Sequence, residues 1–127
     1  VLDDTQCVVK HTYTLARFYR HESCGQCSPC REGTGWMEKI LLSIENGKGK
    51  MSDIDLLWDI QRKIEGNTIC PLGDAAAWPV AAAIRHFRDE FEWHITNADD
   101  AQRRNYGLMH YADPLPPAPK GELATAK

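Results

Sequence analysis

Apolar residues recur at helical spacing in four stretches of this chain, and the period-two alternation of strands is scarce. Val8, Thr12, Leu15 and Tyr19 stand at i, i+4, i+7 and i+11, which predicts a first helix capped by Asp3 or Asp4, containing Cys7 and ending near His21. Met37, Ile40, Leu41 and Ile44 predict a second helix from Arg31 to Glu45, stopped by Gly47. Ile54, Leu57, Ile60 and Ile64 form the stripe of a third, with Ser52 as N-cap, Asp55 at the capping-box position and Gly66 as C-terminal stop. Val80, Ile84, Phe87, Phe91 and Ile95 mark a long fourth helix. Pro79 either starts or kinks it, because proline cannot donate an i to i−4 hydrogen bond, and Asp74 caps a short turn before it. The expected fold is all-α, a four-helix bundle over residues 1–95. Past Ile95 the apolar pattern fades, and Pro114, Pro116, Pro117 and Pro119 crowd into one short stretch. Residues 96–127 therefore read as an extended or disordered proline-rich tail.

The chemistry lies between these helices. Cys24-Gly-Gln-Cys27-Ser-Pro-Cys30 precedes the second helix and Ile69-Cys70-Pro71 precedes the fourth, so an antiparallel bundle brings both loops to one end. Three thiolates at Cys-x2-Cys-x2-Cys spacing can reach three corners of a cuboid cluster, and a remote cysteine followed by proline can supply the fourth. Cys24, Cys27, Cys30 and Cys70 are thus the candidate ligands of an iron-sulfur cluster at one end of the bundle. A four-thiolate zinc is the alternative, although zinc ribbons usually present two separate Cys-x2-Cys knuckles. Four cysteine ligands leave no open iron position for substrate, which points to electron relay. Cys30 falls at a helix start, where free N–H groups and the positive dipole end favour negative charge. Cys7 is surplus to this set and reads as a buried structural thiol.

Composition narrows the partners. A formal charge of -3 gives no nucleic-acid footprint, and no apolar run has the length to span a bilayer, so direct membrane insertion is not expected. Five cysteines, an odd number, suit a reducing compartment without disulfides. With 127 residues beginning at Val1, the chain has room for one core and reads as a piece of something larger. No glycine-rich phosphate fingerprint, nucleophile elbow or zinc-protease motif is found, so no catalytic residue is assigned. Arg31 either offsets cluster charge or reaches solvent. His11, His86 and His94 read as surface or half-buried histidines, and Trp36, Trp58 and Trp78 as core or interface packing.

The run His21-Glu-Ser-Cys24-Gly-Gln-Cys27-Ser-Pro-Cys30-Arg-Glu-Gly33 resembles the C-terminal iron-sulfur domain of the NADH-binding flavoprotein subunit of respiratory complex I. So do Glu65-Gly-Asn-Thr-Ile-Cys70-Pro-Leu-Gly-Asp74-Ala-Ala-Ala-Trp78-Pro-Val80 and Ile84-Arg-His-Phe-Arg88. The likeness runs from Asp3 to Ile95 and extends to diaphorase subunits of NAD-linked hydrogenases and formate dehydrogenases. It implies a [4Fe-4S] cluster on Cys24, Cys27, Cys30 and Cys70, fed with single electrons by an FMN that NADH reduces in an upstream domain. That domain of the same subunit and other iron-sulfur subunits of the hydrophilic arm are the implied partners. The implied location is peripheral, on the cytoplasmic face of a bacterial inner membrane or the matrix side in mitochondria. Without the NADH and FMN site, this portion should not oxidise NADH alone. A diaphorase subunit is one alternative, and a zinc-stabilised helical interaction module is another of a different class.

Overall fold

A computed structural model describes residues 6–97, which form four α-helices and no strand. They are α1 (Val8–Glu22), α2 (Ser28–Glu45), α3 (Met51–Ile64) and α4 (Leu72–Thr96). Each helix packs on its sequence neighbour, α1 also closes onto α4, and α2 touches α4 across the bundle. The pairs are antiparallel. Val8 at the start of α1 meets Glu90 near the end of α4, Gly33 early in α2 meets Ile64 at the end of α3, and Arg88 of α4 reaches back to Asp55 of α3. Residues 1–5 and 98–127 lie outside the described range, and with them the expected Asp3 and Asp4 caps and nearly all of the expected tail.

The core is built by the predicted stripes, with local shifts. Ile54, Leu57, Ile60 and Ile64 of α3 are all buried, as are Met37, Leu41 and Ile44 of α2, whereas Ile40 is only partly covered. In α1 the inward face is rotated by about one position: Val9, Thr12 and Ala16 are buried and Leu15 is 43% exposed. Apolar residues lie on both sides of that stripe, and the small Ala16 lets the neighbouring helices approach where leucine does not.

The helix ends differ more. Cys7 is the N-cap of α1 instead of an interior residue, its Sγ accepting from Lys10 N at 3.4 Å. α2 starts three residues earlier than predicted, with Pro29 in its first turn, where the missing N–H costs nothing. α3 starts at Met51, so Ser52 is not its cap. Lys50 is, and Lys50 N donates to Asp53 Oδ2 at 2.8 Å, the reciprocal half of a capping box moved two residues upstream of the Ser52–Asp55 expectation. Gly47 and Gly66 have φ of +68° and +72°, the left-handed stops expected of them.

α4 corrects two expectations. Pro79 lies inside the helix and does not start it; the helix begins at Leu72, and Asp74 ties down the preceding turn by accepting from Gly66 N at 2.7 Å. The break comes at Phe87, whose φ of −135° and ψ of 32° are not helical. Phe87 consequently leaves the predicted stripe and is 44% exposed. Beyond it, Phe91 and His94 resume the inward face, one turn apart.

Candidate metal centre

Both cysteine loops come to one end of the bundle. α1 stops at Ser23, and Gly25 then takes φ +82°, a left-handed turn that glycine makes without a Cβ clash. Arg31 reaches back over this turn. Its Nη1 donates to the Gly25 carbonyl at 2.8 Å, its Nη2 to Ser28 Oγ at 3.4 Å and its Nε to Glu32 Oε1 at 3.0 Å. Arg31 is therefore a strap that holds the loop to the first turn of α2, a third role beside the two expected of it.

The four thiols are placed differently. Cys24 is exposed. Cys27 is the N-cap of α2 and is half-buried; its side chain makes no capping bond, which leaves the sulfur turned to other partners. Cys30 is buried in the first turn of α2, its Sγ 3.2 Å from Ser23 Oγ, while Thr34 Oγ1 donates to its carbonyl at 2.7 Å. Cys70 is exposed on the loop between α3 and α4. That loop touches the first one directly, because Ile69 N donates to Cys27 Sγ at 3.4 Å. It is shaped from within by Thr68, whose Oγ1 donates to the Cys70 carbonyl at 2.9 Å and whose side chain lies against Gly73. A Cβ on Gly73 would stand 2.3 Å from Thr68 Oγ1 and 2.5 Å from Thr68 Cγ2, so only glycine lets the loop pack this close to α4.

All five cysteines are free thiols in this structure. The donor set suits an iron-sulfur cluster in its chemistry: three thiols spread over the loop before α2, its N-cap and its first turn, a fourth on a contacting loop, and N–H groups at a helix start that favour negative charge.

At the opposite end the structure departs from the sequence reading. His94 is fully buried, its Nε2 3.2 Å from Cys7 Sγ. Burial pushes the Cys7 thiol up to about 11, with smaller upward contributions from Glu45 and Glu90. Cys7 is buried as expected, but its partnership with a histidine 87 residues away has no local sequence signal. Of Trp36, Trp58 and Trp78, only Trp58 packs against the core. Trp36 and Trp78 are 53% and 58% exposed, and Trp58 is partly covered, with the Arg85 guanidinium 5.7 Å from its ring. Trp36 and Leu56 line an apolar groove of about 610 Å³ between α2 and α3 that reaches Ser28 and Pro29 in the first turn of α2. Among the described residues, no helix is long and apolar enough to cross a membrane.

Residues 10–94 match the family model described as the NADH-ubiquinone oxidoreductase-F iron-sulfur binding region. The chain is 52% identical over 97 residues to an NADH-quinone oxidoreductase subunit of Rickettsia typhi, covering 76% of this chain and 23% of that protein. Against the subunit of the same designation in Rhizobium meliloti it is 50% identical over 95 residues, 75% of this chain and 22% of the relative. The chain thus spans under a quarter of the length of these relatives. A crystal structure of an NAD+-reducing [NiFe]-hydrogenase in the H2-reduced state superposes with a TM-score of 0.72 at 30% identity, over 90% of this chain and 21% of that one.

Proposed function

Since this chain belongs to the family of the NADH-ubiquinone oxidoreductase-F iron-sulfur binding region, we propose that it is the electron-transfer portion of a complex I flavoprotein subunit, with Cys24, Cys27, Cys30 and Cys70 holding a [4Fe-4S] cluster. The observation that carries this reading is the convergence of the two cysteine loops, with Ile69 N set against Cys27 Sγ. When bound, such a cluster supplies a one-electron relay, here from an FMN that NADH reduces in the upstream part of the subunit.

The chain's own residues prepare the place. Arg31 fixes the turn that spaces Cys24 from Cys27, its guanidinium bridging the Gly25 carbonyl and the Glu32 carboxylate. Ile69 N–H donates to the Cys27 sulfur, and the Ser23 hydroxyl lies in hydrogen-bonding range of the Cys30 sulfur; donors to sulfur stabilise added negative charge. Thr68, seated on Gly73, holds the Cys70 backbone in reach. The apolar groove beside the cysteine loop is the face we assign to the rest of the subunit, which makes up most of the relatives' length. Other iron-sulfur subunits of the hydrophilic arm complete the route. Association with the membrane is then peripheral, on the bacterial cytoplasmic face or the mitochondrial matrix side. No residue is assigned a catalytic role, and the chain alone is expected not to oxidise NADH.

The likeness to an NAD+-reducing hydrogenase supports a second reading, a diaphorase subunit of a soluble complex. The higher identity to quinone oxidoreductase subunits favours the first.

Anaerobic purification followed by metal analysis and low-temperature EPR of the dithionite-reduced chain tests the cluster. The expected result is about four irons per chain and a spin-half signal. Zinc in place of iron, persisting after anaerobic reconstitution, would overturn the relay and favour the zinc-stabilised module.

A further inference from the structure

Three side chains that the cluster does not use converge at the far end of the bundle. Cys7 is the N-cap of α1, Glu45 the last residue of α2, and His94 lies in the last turn of α4. Cys7 and His94 are buried and Glu45 is half-buried. One ligand atom from each lies within 4.8 Å of the other two, and Cys7 Sγ stands 3.2 Å from His94 Nε2. We propose that Cys7, Glu45 and His94 form a second metal site, for a single zinc-like divalent cation, that ties together the ends of three helices.

The chemistry of the set selects the ion. A thiolate, an imidazole and a carboxylate suit zinc, whereas magnesium and calcium take oxygen ligands. Cation binding displaces the proton of the buried Cys7 thiol to solvent; the resulting thiolate and the Glu45 carboxylate then carry two negative charges, which a divalent cation cancels, so the filled cluster is neutral. Tetrahedral zinc, with bonds of about 2.3 Å to sulfur and about 2.0 Å to nitrogen, separates the two donors by about 3.5 Å. The observed 3.2 Å needs a shift of only a few tenths of an ångström. Helix direction favours the same occupant: α2 and α4 both end here, presenting the negative ends of their dipoles, while the start of α1 favours the thiolate. Three protein donors leave the fourth tetrahedral position to water on the side of the half-buried Glu45.

The role follows from position. The cysteine loops hold the starts of α2 and α4, and this site holds their ends together with the start of α1. A cation here would stop the last turn of α4 from fraying beyond the break at Phe87. The competing account is a plain thiol–imidazole hydrogen bond that needs no metal.

The two accounts separate in the full 127-residue chain with its iron centre assembled anaerobically. The chain is equilibrated with Zn²⁺, passed over a desalting column and analysed for zinc and iron, and zinc K-edge absorption fine structure reads the donors. The expected result is one zinc per chain beside undiminished iron, with a single sulfur at about 2.3 Å and the remaining donors nitrogen or oxygen at about 2.0 Å. Cys7→Ser and, independently, the milder Glu45→Gln should each weaken zinc by more than the roughly tenfold that even changes beyond the direct ligands cost, with iron content unchanged. Three results would overturn the site: no retained zinc in the iron-loaded chain, zinc held equally by Glu45→Gln, or a four-sulfur environment that places the zinc on the other cysteines.

Discussion

Cys27 and Cys7 show how differently two thiols of one chain are placed. Cys27 caps α2 with its sulfur facing the loop of Cys70, whereas Cys7 is enclosed at the other end against His94. Replacing Cys27 or Cys70 by serine is expected to abolish or convert the four-iron EPR signal, and Cys7→Ser to leave it intact. An unchanged signal in Cys70→Ser would remove that residue from the ligand set. Glu90 carries a separate prediction. Burial raises its carboxyl from the ordinary 4.5 to about 6, with a smaller upward push from Asp89 against the lowering effect of the Val8 N–H. The folded chain therefore holds this proton more tightly than the unfolded one. The stability it contributes is complete below about pH 4.5 and lost as pH rises through about 6. Glu90→Gln, which keeps an oxygen for Val8 N–H, should raise the melting temperature by a few degrees at pH 7.5 in EDTA, and the gain should vanish near pH 4.5. A gain that is the same at both pH values would mean that charge is not the cause.

At the scale of elements, the loop between α3 and α4 depends on a missing side chain. Gly73→Ala places a methyl group on Thr68, an overpacking whose typical cost is about 1–3 kcal/mol, and it should loosen the Cys70 loop enough to lower iron retention. Adding Thr68→Ala removes the two nearest atoms, so the double variant should lose less stability than the sum of the single ones, as a double-mutant cycle by chemical denaturation would show. α4 shows the converse. Phe91, fully buried beyond the break, should cost about 3–5 kcal/mol as alanine, whereas Phe87, on the exposed side of the same helix, should cost much less. Comparable losses in the two melts would contradict the break.

For the whole molecule, the cysteine loops lie about forty residues apart in sequence, so a metal held by both, as proposed, would couple its binding to folding. Stripping the iron should lower the melting temperature and the helical circular dichroism together. Anaerobic reconstitution should restore both in the wild-type chain and fail to do so in Cys70→Ser. Full thermal stability in the iron-free chain would show that the apolar core, not the loops, holds the bundle.

Periodicity alone determined the four helices, because burying one face of a helix imposes its repeat on the chain, and the α3 stripe needed no revision. Cysteine spacing and the likeness of the surrounding residues are what propose the four thiols as ligands, since three of them lie close enough in sequence to leave a spacing signal, whereas the remote Cys70 is marked only by its proline and by the likeness. Residues brought close only by packing left no such trace. His94 looks like a surface residue until α4 returns it to the start of α1, and the exposure of Phe87 follows from a backbone break that its composition does not announce. The fit of Thr68 against Gly73 and the meeting of Cys7, Glu45 and His94 were likewise decided by the tertiary structure, because contact between distant residues is a property of how helices pack, not of any repeat along one of them.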